Sequence, residues 1–373
     1  MRFPEFSGEW DKCTLGSIGE TFNGLTGKSA VDFGSGSPYI TYKSIFDSSK
    51  IDISKVEYVK ITDTERVKQT QNEVEYGDIF FTTSSETPEE VGMASVLLSE
   101  IRDCYLNSFC FGYRLFDKCI HQPDFFRFYL RSSNLRKKIA ILAQGSTRFN
   151  ISKNEVMKMP IFLPSLAEQR KISKLLSLIE DRNETQKKII EKHESLIRGL
   201  CEKLTRQETA NKAINECLEC YSSTLQESSV LENGKYPVYG ATGVCGYTDT
   251  PDFTGDGILI IKDGASVGVT SYAEGCYSAI GTLNRLTAKQ DIHLRYVYYC
   301  IKVMNFSPYK TGLAIPHIYF KDYGNHKIWC PSYEQQSYIA NILKRINDKI
   351  RVEKSLLEQL NSQKRYMLSQ MFI

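Results

Sequence analysis

The chain has 373 residues, of which 41% are hydrophobic and 24% charged, and its formal net charge is +3. Its apolar runs fall far short of the roughly 18 residues that a membrane-spanning helix needs, and residues 1–12 hold no apolar core of a secretion signal, so we expect a cytoplasmic protein and no membrane partner. Eleven cysteines, an odd number without regular spacing, argue against a disulfide scaffold.

Residues 1–163 form the first segment, which we predict to be a mixed α/β domain. Stretches 38–45 and 77–83 predict strands, whereas the glycine- and serine-rich stretch 32–37 predicts a loop. Residues 123–142 predict a helix whose aromatic face is flanked by basic residues, which either form a solvated face or hold phosphate groups. These basic residues are Arg127, Arg131, Arg136, Lys137 and Lys138.

The second segment, 164–212, begins at Pro164 and predicts a long helix. About 40 residues follow the proline with no further proline and a single glycine, and Ser165 is the expected N-cap. Steps of four and three place apolar residues on one stripe, with Asn183 and Gln186 in its middle, which is typical of a coiled-coil seam. The apolar seam residues are Ile172, Leu176, Ile179, Ile190, Ile197 and Leu200.

The third segment, 213–330, follows the order of the first in a shorter form. A strand is predicted within 257–264 and an aromatic helix at 294–304. A matched order of elements with different residues indicates one mixed α/β fold that carries two different surfaces.

The fourth segment, 331–373, repeats the second without a gap. Residues 164–204 and 331–371 are identical at 11 of 41 positions, and the same offset of 167 residues pairs Gly145 with Gly312. Ser332 is the expected N-cap, and the seam has Glu353 near its middle. The apolar seam residues are Ile339, Leu343, Ile346, Ile350, Leu357 and Leu360. Because the two copies share one register, we expect the helices to pair with each other, antiparallel and about a pseudo-twofold axis.

The predicted fold class is therefore α+β. Two mixed α/β domains, 1–163 and 213–330, are separated by a pair of long antiparallel coiled-coil helices within 164–212 and 331–373. A helix of this length measures about 60 Å, so we expect the domains to be held apart at a fixed distance. The alternative is that the helices are unrelated and that each packs on its own domain.

Polar loops in both domains carry the side-chain types that read base edges or hold phosphates. In the first domain the candidate DNA-binding residues are Lys28, Ser29, Lys43, Thr83, Ser84, Gln144, Ser146, Thr147, Arg148 and Asn150. In the second domain they are Thr242, Lys262, Asp263, Ser266, Lys310, Thr311 and His317. The alternative for each of them is an ordinary solvent-exposed loop position. The net charge is −1 for residues 1–163 and −2 for 213–330. Local clusters or a partner would therefore have to supply much of the attraction to phosphate.

Catalytic signatures are missing from the sequence. The stretch GLTGKS at 24–29 is two residues short of a phosphate-binding loop, and the pair Cys217 and Cys220 lacks the second pair of a zinc site. No two prolines are adjacent, which excludes the Pro-Pro-aromatic loop of amino-methylating enzymes. We expect a chain that recognises a ligand, not an enzyme.

Several stretches in a fixed order resemble the specificity (S) subunit of type I restriction–modification systems. They are W-x4-LGSIG at 10–19, GSPYITYKSI at 36–45, PSLAEQRKI at 164–172, YPVYGATG at 236–243, IPHIYFKDYG at 315–324 and PSYEQQSYI at 331–339. The likeness covers nearly the whole chain. The two copies depart at one point, where the glutamate is Glu168 in the first and Glu334, one position earlier, in the second.

The resemblance implies a function and a set of partners. Each unique segment would be a target-recognition domain that reads one half of a bipartite site in double-stranded DNA, and the helix pair would set the spacer. Two methyltransferase (M) subunits would bind S-adenosylmethionine and methylate adenine N6. A motor–nuclease (R) subunit using ATP and Mg²⁺ is a further optional partner. The chain itself would bind no cofactor and no metal. The alternative is a coiled-coil scaffold that assembles protein partners without touching DNA.

Overall fold

The structure is a computed structural model, which describes residues 2–65, 73–312 and 315–372. The chain divides into two compact units, and each unit takes part of both long helices. Unit 1 comprises Met1–Thr185 and Leu357–Ile373, and unit 2 comprises Gln186–Leu356. The prediction from sequence divides the chain differently, because it assigns each long helix to a segment separate from the two domains.

The strands of unit 1 lie in one larger sheet and three smaller ones. They are β1 (Asp11–Thr14), β2 (Gly19–Asn23), β3 (Phe33–Ile40), β4 (Glu57–Val59), β5 (Ile79–Thr82), β6 (Ser84–Ser85), β7 (Ala94–Val96), β8 (Tyr105–Leu106), β9 (Cys110–Leu115), β10 (Phe149–Asn150) and β11 (Pro160–Leu163). The larger sheet has the order β2-β9-β5-β7, and the others are β4-β3-β8, β1-β11 and β10-β6.

Five short α-helices have both their ends within the described part of unit 1. They are α1 (Leu15–Ile18), α2 (Tyr42–Asp47), α3 (Pro123–Tyr129), α4 (Ser133–Ile141) and α5 (Lys153–Lys158). The core packs the aromatic side of α3 against the larger sheet, with Phe125 and Phe126 fully buried beside Ile79 and Tyr113. This burial of aromatic surface is the main favourable term for the unit.

The first long helix, α6 (Leu166–Thr205), leads into unit 2. The strands of unit 2 are β12 (Lys212–Ala213), β13 (Leu218–Ser222), β14 (Tyr236–Gly240), β15 (Gly243–Thr248), β16 (Phe253–Thr254), β17 (Gly257–Ile261), β18 (Thr270–Ala273), β19 (Cys276–Ala279), β20 (Leu283–Ala288) and β21 (Lys327–Ile328). Its helices are α7 (Ile214–Cys217), α8 (Leu294–Lys302), α9 (Phe320–Tyr323) and α10 (Tyr333–Met371).

The two units share one topology. The sheet β13-β20-β17-β18 matches β2-β9-β5-β7 strand for strand, and β12-β21 matches β1-β11. The parallel pair β14-β19 matches the parallel pair β3-β8. The expectation of one mixed α/β fold in two versions is therefore confirmed.

The long helices begin where the sequence predicts. Ser165 Oγ accepts a hydrogen bond from the Glu168 N–H, and Ser332 Oγ accepts one from the Gln335 N–H, both at 3.4 Å. These contacts satisfy backbone donors that the first turn of a helix leaves without a partner. All twelve predicted apolar seam residues are buried or half-buried.

The polar seam residues hold the two helices in antiparallel register. In unit 1, Asn183 Nδ2 donates to Asn361 Oδ1 at 2.9 Å. In unit 2, Gln186 Nε2 donates to Glu353 Oε2 at 2.6 Å. These two residues are 167 positions apart, which is the offset of the internal repeat. A contact between repeat-equivalent positions is what a twofold-related antiparallel pair requires. Polar seam pairs specify the register of a coiled coil at some cost in stability.

A buried glutamine ties each long helix to the aromatic helix of its unit. Gln169 accepts the Gln122 N–H at 3.0 Å and donates to Pro164 O at 2.8 Å. Gln336 accepts the His293 N–H at 2.9 Å and donates to Pro331 O at 2.8 Å. Since Gln122 and His293 are the N-caps of α3 and α8, both glutamines anchor the start of an aromatic helix.

The shifted glutamate has a structural consequence. Glu168 is 1% exposed and binds the Arg2 guanidinium through both oxygens, at 2.8 and 2.7 Å. Glu334, one position earlier in the second copy, is exposed. The two helix starts therefore share the glutamine contact but not the glutamate contact.

The structure corrects two local predictions in unit 1. Residues 38–45 are not one strand, because β3 ends at Ile40 and Thr41 caps α2 by accepting the Ser44 N–H. Residues 32–37 are not a loop, because most of them lie within β3 as an irregularity in its pairing with β4. Gly36 has a φ of +108°, and a Cβ there would lie 2.5 Å from Val59 O, which explains why glycine occurs inside a strand.

The predicted basic helix at 123–142 is two helices, and its arginines bind the protein itself. Arg131 donates to the carbonyls of Ala94 and Ser48 at 2.6 and 2.7 Å, and Arg136 donates to Gly92 O at 2.7 Å. Burial lowers the pKa of both guanidinium groups to about 10. Arg131 and Arg136 therefore fit neither of the two roles predicted for them, a solvated face or a phosphate contact.

One thiol of unit 2 is activated by a second thiol. Cys330 precedes α10, and the thiol of buried Cys217 lowers the pKa of Cys330 below its ordinary value. Gln336 Nε2 also donates to Cys330 Sγ at 3.5 Å. We expect iodoacetamide to alkylate Cys330 at neutral pH, because the thiolate is the nucleophile.

The test of this expectation is mass spectrometry of the Cys330 peptide after brief alkylation between pH 6 and pH 10. Substituting Cys217→Ala should raise the pKa of Cys330 and slow its alkylation at pH 7 roughly tenfold. The exposed Cys245, whose pKa burial raises, is the internal control. A Cys330 rate that follows the same pH curve as the Cys245 rate would rule out the thiol pair.

Candidate nucleic-acid interface

In unit 1, the strand end after β5 is joined to a turn that comes much later in the chain. The Thr83 N–H donates to Phe109 O at 3.1 Å, and Thr83 O accepts the Ile151 N–H at 2.9 Å. The next residue, Ser84, pairs with Asn150 through β6 and β10. These contacts bring together two predicted site regions that are more than 60 residues apart.

The turn 144–150 is closed by two backbone hydrogen bonds. The Gln144 N–H donates to Asn150 O at 2.9 Å, and the Asn150 N–H donates to Gln144 O at 2.8 Å. Gly145 has a φ of +130°, and a Cβ there would lie 2.2 Å from Arg148 O. The turn therefore needs glycine at this position. It exposes the side chains of Gln144, Ser146, Thr147, Arg148 and Asn150 to solvent.

Two clefts flank this turn region in unit 1. A cleft of about 220 Å³ is lined by Asn23, Gly24, Thr26, Thr83, Ser108, Cys110, Phe111, Ile151 and Lys153. A cleft of about 410 Å³ is lined by Phe33, Tyr39, Thr41, Tyr42, Lys43, Glu57 and Asn107. Asn107 and Ser108 are neighbours in sequence, so polar lining continues from one cleft to the other.

Several polar residues of these clefts are missing from the sequence-based candidates, including Asn23, Asn107, Ser108 and Lys153. Lys153 Nζ donates to Asn23 Oδ1 at 2.8 Å, and Asn107 Nδ2 donates to the Tyr39 hydroxyl at 2.8 Å. Each of these four lies within two residues of the end of a strand or helix, and that position was the only signal in the sequence.

Unit 2 builds the same connection with different residues. The Lys262 N–H donates to Thr282 O at 2.9 Å, and Lys262 O accepts the Ile318 N–H at 2.9 Å. The next residue, Asp263, pairs with His317. Thr311 and His317 exchange backbone hydrogen bonds of 2.9 and 2.8 Å, as Gln144 and Asn150 do in unit 1.

We call this arrangement the strand-end frame. In unit 1 it comprises 83–84, 144–145 and 148–151, and in unit 2 it comprises 262–263, 311–312, 315 and 317–318. Gly312, like Gly145, has a positive φ, and its Cβ would lie 2.4 Å from Ile315 O, the carbonyl three residues later. The backbone of the frame is thus the same in both units.

The side chains of the two frames differ in charge and in polarity. The residues of unit 2 that take the corresponding places are Lys262 for Thr83, Asp263 for Ser84, Ile315 for Arg148 and His317 for Asn150. The positively charged side chain of the frame is therefore Arg148, on the turn, in unit 1. In unit 2 it is Lys262, at the strand end. A shared backbone with different polar groups is suited to binding the same kind of ligand with two different preferences.

Other predicted site residues lie apart from the frames or make internal contacts. Lys28 Nζ is paired with Glu65 at 2.6 Å, which lowers the pKa of that carboxyl to about 2. Ser29 Oγ donates to Asp32 at 2.9 Å, and Ser84 is 4% exposed. Other exposed candidates outside the frames are Lys43, Ser146, Thr147, Thr242, Ser266 and Lys310.

The described residues contain no group of three or more His, Cys, Asp and Glu side chains that could hold a metal ion. In the same part of the chain, no helix combines the length and apolar character that crossing a membrane requires.

Comparison with known proteins places the chain in a family. The family profile "Type I restriction modification DNA specificity domain" matches residues 7–194 and 212–362. The specificity subunit of the type I restriction enzyme EcoprrI from Escherichia coli is 28% identical over 108 residues, which span 29% of this chain and 27% of that protein.

Two solved structures have the same fold. The S subunit of a type I restriction–modification system from M. genitalium superposes with a TM-score of 0.68 at 19% identity, covering 100% of this chain and 99% of that chain. A structure describing complex assembly and conformational transition of the type I R–M system gives 0.57 at 16% identity, covering 98% of both chains. Because the family profile covers most of its length in two copies, the chain belongs to the type I restriction–modification DNA specificity family.

Proposed function

We propose that this chain is the sequence-reading subunit of a type I restriction–modification complex. Unit 1 and unit 2 each read one half of a bipartite site in double-stranded DNA, and the long helices set the number of base pairs between the halves. The observation that carries the proposal is the pair of strand-end frames, which share their backbone hydrogen bonds and differ in their exposed polar groups.

The chemistry of the complex is assigned to partner subunits in the cytoplasm. Two methyltransferase subunits bind S-adenosylmethionine and methylate adenine at N6 after flipping the base. A motor–nuclease subunit that uses ATP and Mg²⁺ completes the restriction enzyme where the cell has one. The chain itself is non-catalytic in this proposal. Methyltransferase subunits also supply the cationic surface that two nearly neutral domains lack.

Exposed apolar side chains on the long helices support the docking of protein partners. Tyr338 and Val352 on α10 are 68% and 65% exposed, and Leu178 on α6 is 58% exposed. A protein partner that docks on the long helices would cover these apolar groups and remove them from water.

The test is a map of N6-methyladenine in cells that express the cognate methyltransferase with and without this chain. We expect methylation at a motif of two unlike half-sites with a fixed spacer, and no such motif without the chain. A scaffold that never touches DNA would give methylation without sequence preference, or none that depends on the chain, and either result would overturn the proposal.

A further inference from the structure

We propose that His317 contacts a base edge in the DNA half-site read by unit 2, and that Asp263 is the residue that positions its ring. The inference rests on the proposed function, because the ligand is the DNA. His317 would determine which base is preferred at one position of the half-site, and the chemistry of its ring would set the class of that base.

Backbone hydrogen bonds fix the residues on both sides of His317. The Gly264 N–H donates to Pro316 O at 2.9 Å, and the Ile318 N–H donates to Lys262 O at 2.9 Å. His317 therefore projects from a segment fixed to the end of the central strand β17. In unit 1 the equivalent position is Asn150, an exposed residue whose neighbour Ile151 is bonded to Thr83 in the same way.

The imidazole ring is oriented by a hydrogen bond and has room beside a glycine. His317 Nδ1 lies 2.7 Å from Asp263 Oδ1. A Cβ at Gly312 would lie 3.3 Å from His317 Cδ2, so the glycine leaves room for the ring. The side chain is 37% exposed, which keeps it accessible to a ligand. In the part of the chain that the structure describes, Nε2 has no hydrogen-bond partner.

The aspartate determines which proton the neutral ring carries. A carboxylate oxygen only accepts, so Nδ1 is the protonated nitrogen and Nε2 has a free lone pair. In the major groove, such an acceptor pairs with the exocyclic amino group of adenine or cytosine. Asn150 presents both a donor and an acceptor, which is the pattern that pairs with adenine N6 and N7. Unit 2 is thus expected to accept adenine or cytosine at this position, whereas unit 1 is expected to accept adenine alone.

The test uses the full chain with its methyltransferase and compares methylation motifs. His317→Ala should reduce base discrimination at one position of one half-site, by about fivefold or more, and leave the other half-site unchanged. His317→Asn, which introduces the residue that unit 1 has, should confine that position to adenine, so that any methylation at sites with cytosine there is lost. Lys327→Ala, at an exposed site on β21, is the control that should keep the wild-type motif.

The role of Asp263 is tested by two substitutions. Asp263→Ala should broaden the same base position, whereas Asp263→Asn, which keeps an accepting oxygen for Nδ1–H, should retain the preference. Trp329 fluorescence, which reports on the core of unit 2, verifies folding. If the wild-type chain gives a bipartite motif and the His317 variants leave every position unchanged, the inference fails while the proposed function stands. If the wild type gives no motif, the proposed function itself fails.

Discussion

Replacing Arg127 by alanine is expected to lower the free energy of unfolding of unit 1 by about 3 kcal/mol. Arg127 is 5% exposed and lies between two carboxylates, with Nε 2.5 Å from Asp124 and Nη1 2.6 Å from Glu180. Its Nη2 donates to Ser177 Oγ at 2.8 Å. The guanidinium thus joins α3 to the long helix α6, and its loss leaves the partly buried Asp124 without a cation, although Glu180 keeps its ion pair with Lys364.

The two tryptophans of the chain allow this effect to be measured for each unit. Trp10 belongs to the core of unit 1, with its ring 6.4 Å from that of Phe125, and Trp329 belongs to the core of unit 2. In a Trp329→Phe background, urea unfolding followed by Trp10 fluorescence reports on unit 1. The exposed neighbour Lys137→Ala is the matched control and should change the midpoint little. An Arg127→Ala chain as stable as this control would show that the network contributes nothing.

Replacing Phe372 by alanine is expected to destabilise unit 1 by about 3 kcal/mol as well. Phe372 is 2% exposed, and its ring lies 5.7 Å from Phe125 and 5.6 Å from Tyr129. Asn134 Nδ2 donates to Phe372 O at 3.0 Å, which fixes the segment after α10 on α4. The substitution leaves a cavity in the aromatic cluster that faces the larger sheet.

The same Trp10 fluorescence measures this loss, and Tyr366→Ala is its control. Tyr366 is on the same helix and is 56% exposed, so removing its ring creates no cavity. We expect the Phe372→Ala midpoint to fall well below the Tyr366→Ala midpoint. Equal midpoints would mean that residues 357–372 do not stabilise unit 1, contrary to the packing described above.

Local and periodic features could be predicted from the sequence. The start of each long helix follows from proline and serine, and the antiparallel pairing follows from a repeat in one register. The contact of Gln186 with Glu353 confirms both the register and the internal symmetry. These features depend on residues close in sequence or on a gapless repeat.

The strand-end frames could not be predicted in the same way, because they depend on pairing across long loops. Ser84 meets Asn150 and Asp263 meets His317 only after the sheets have formed. The gapless offset relates Asn150 to His317, but Thr83 and Lys262 are 179 residues apart, so the repeat does not connect them. The half-buried arginines Arg131 and Arg136 were misjudged because basic residues are usually exposed, whereas these two donate to backbone carbonyls of nearby loops.

We propose that one pair of helices sets the spacing between the two half-sites that the two units read. The most direct measurement is the methylation motif of a chain with seven residues inserted after Gln186 and seven after Glu353, the repeat-equivalent positions that meet. Insertion in only one helix, which breaks the pairing, is the control and should abolish site-specific methylation.

A heptad keeps the seam in register and adds about 10 Å to each helix, and a base pair rises by about 3.4 Å. We predict that both half-site sequences stay unchanged and that the spacer between them lengthens, by no more than about three base pairs. An unchanged spacer, or altered half-site sequences, would contradict the account.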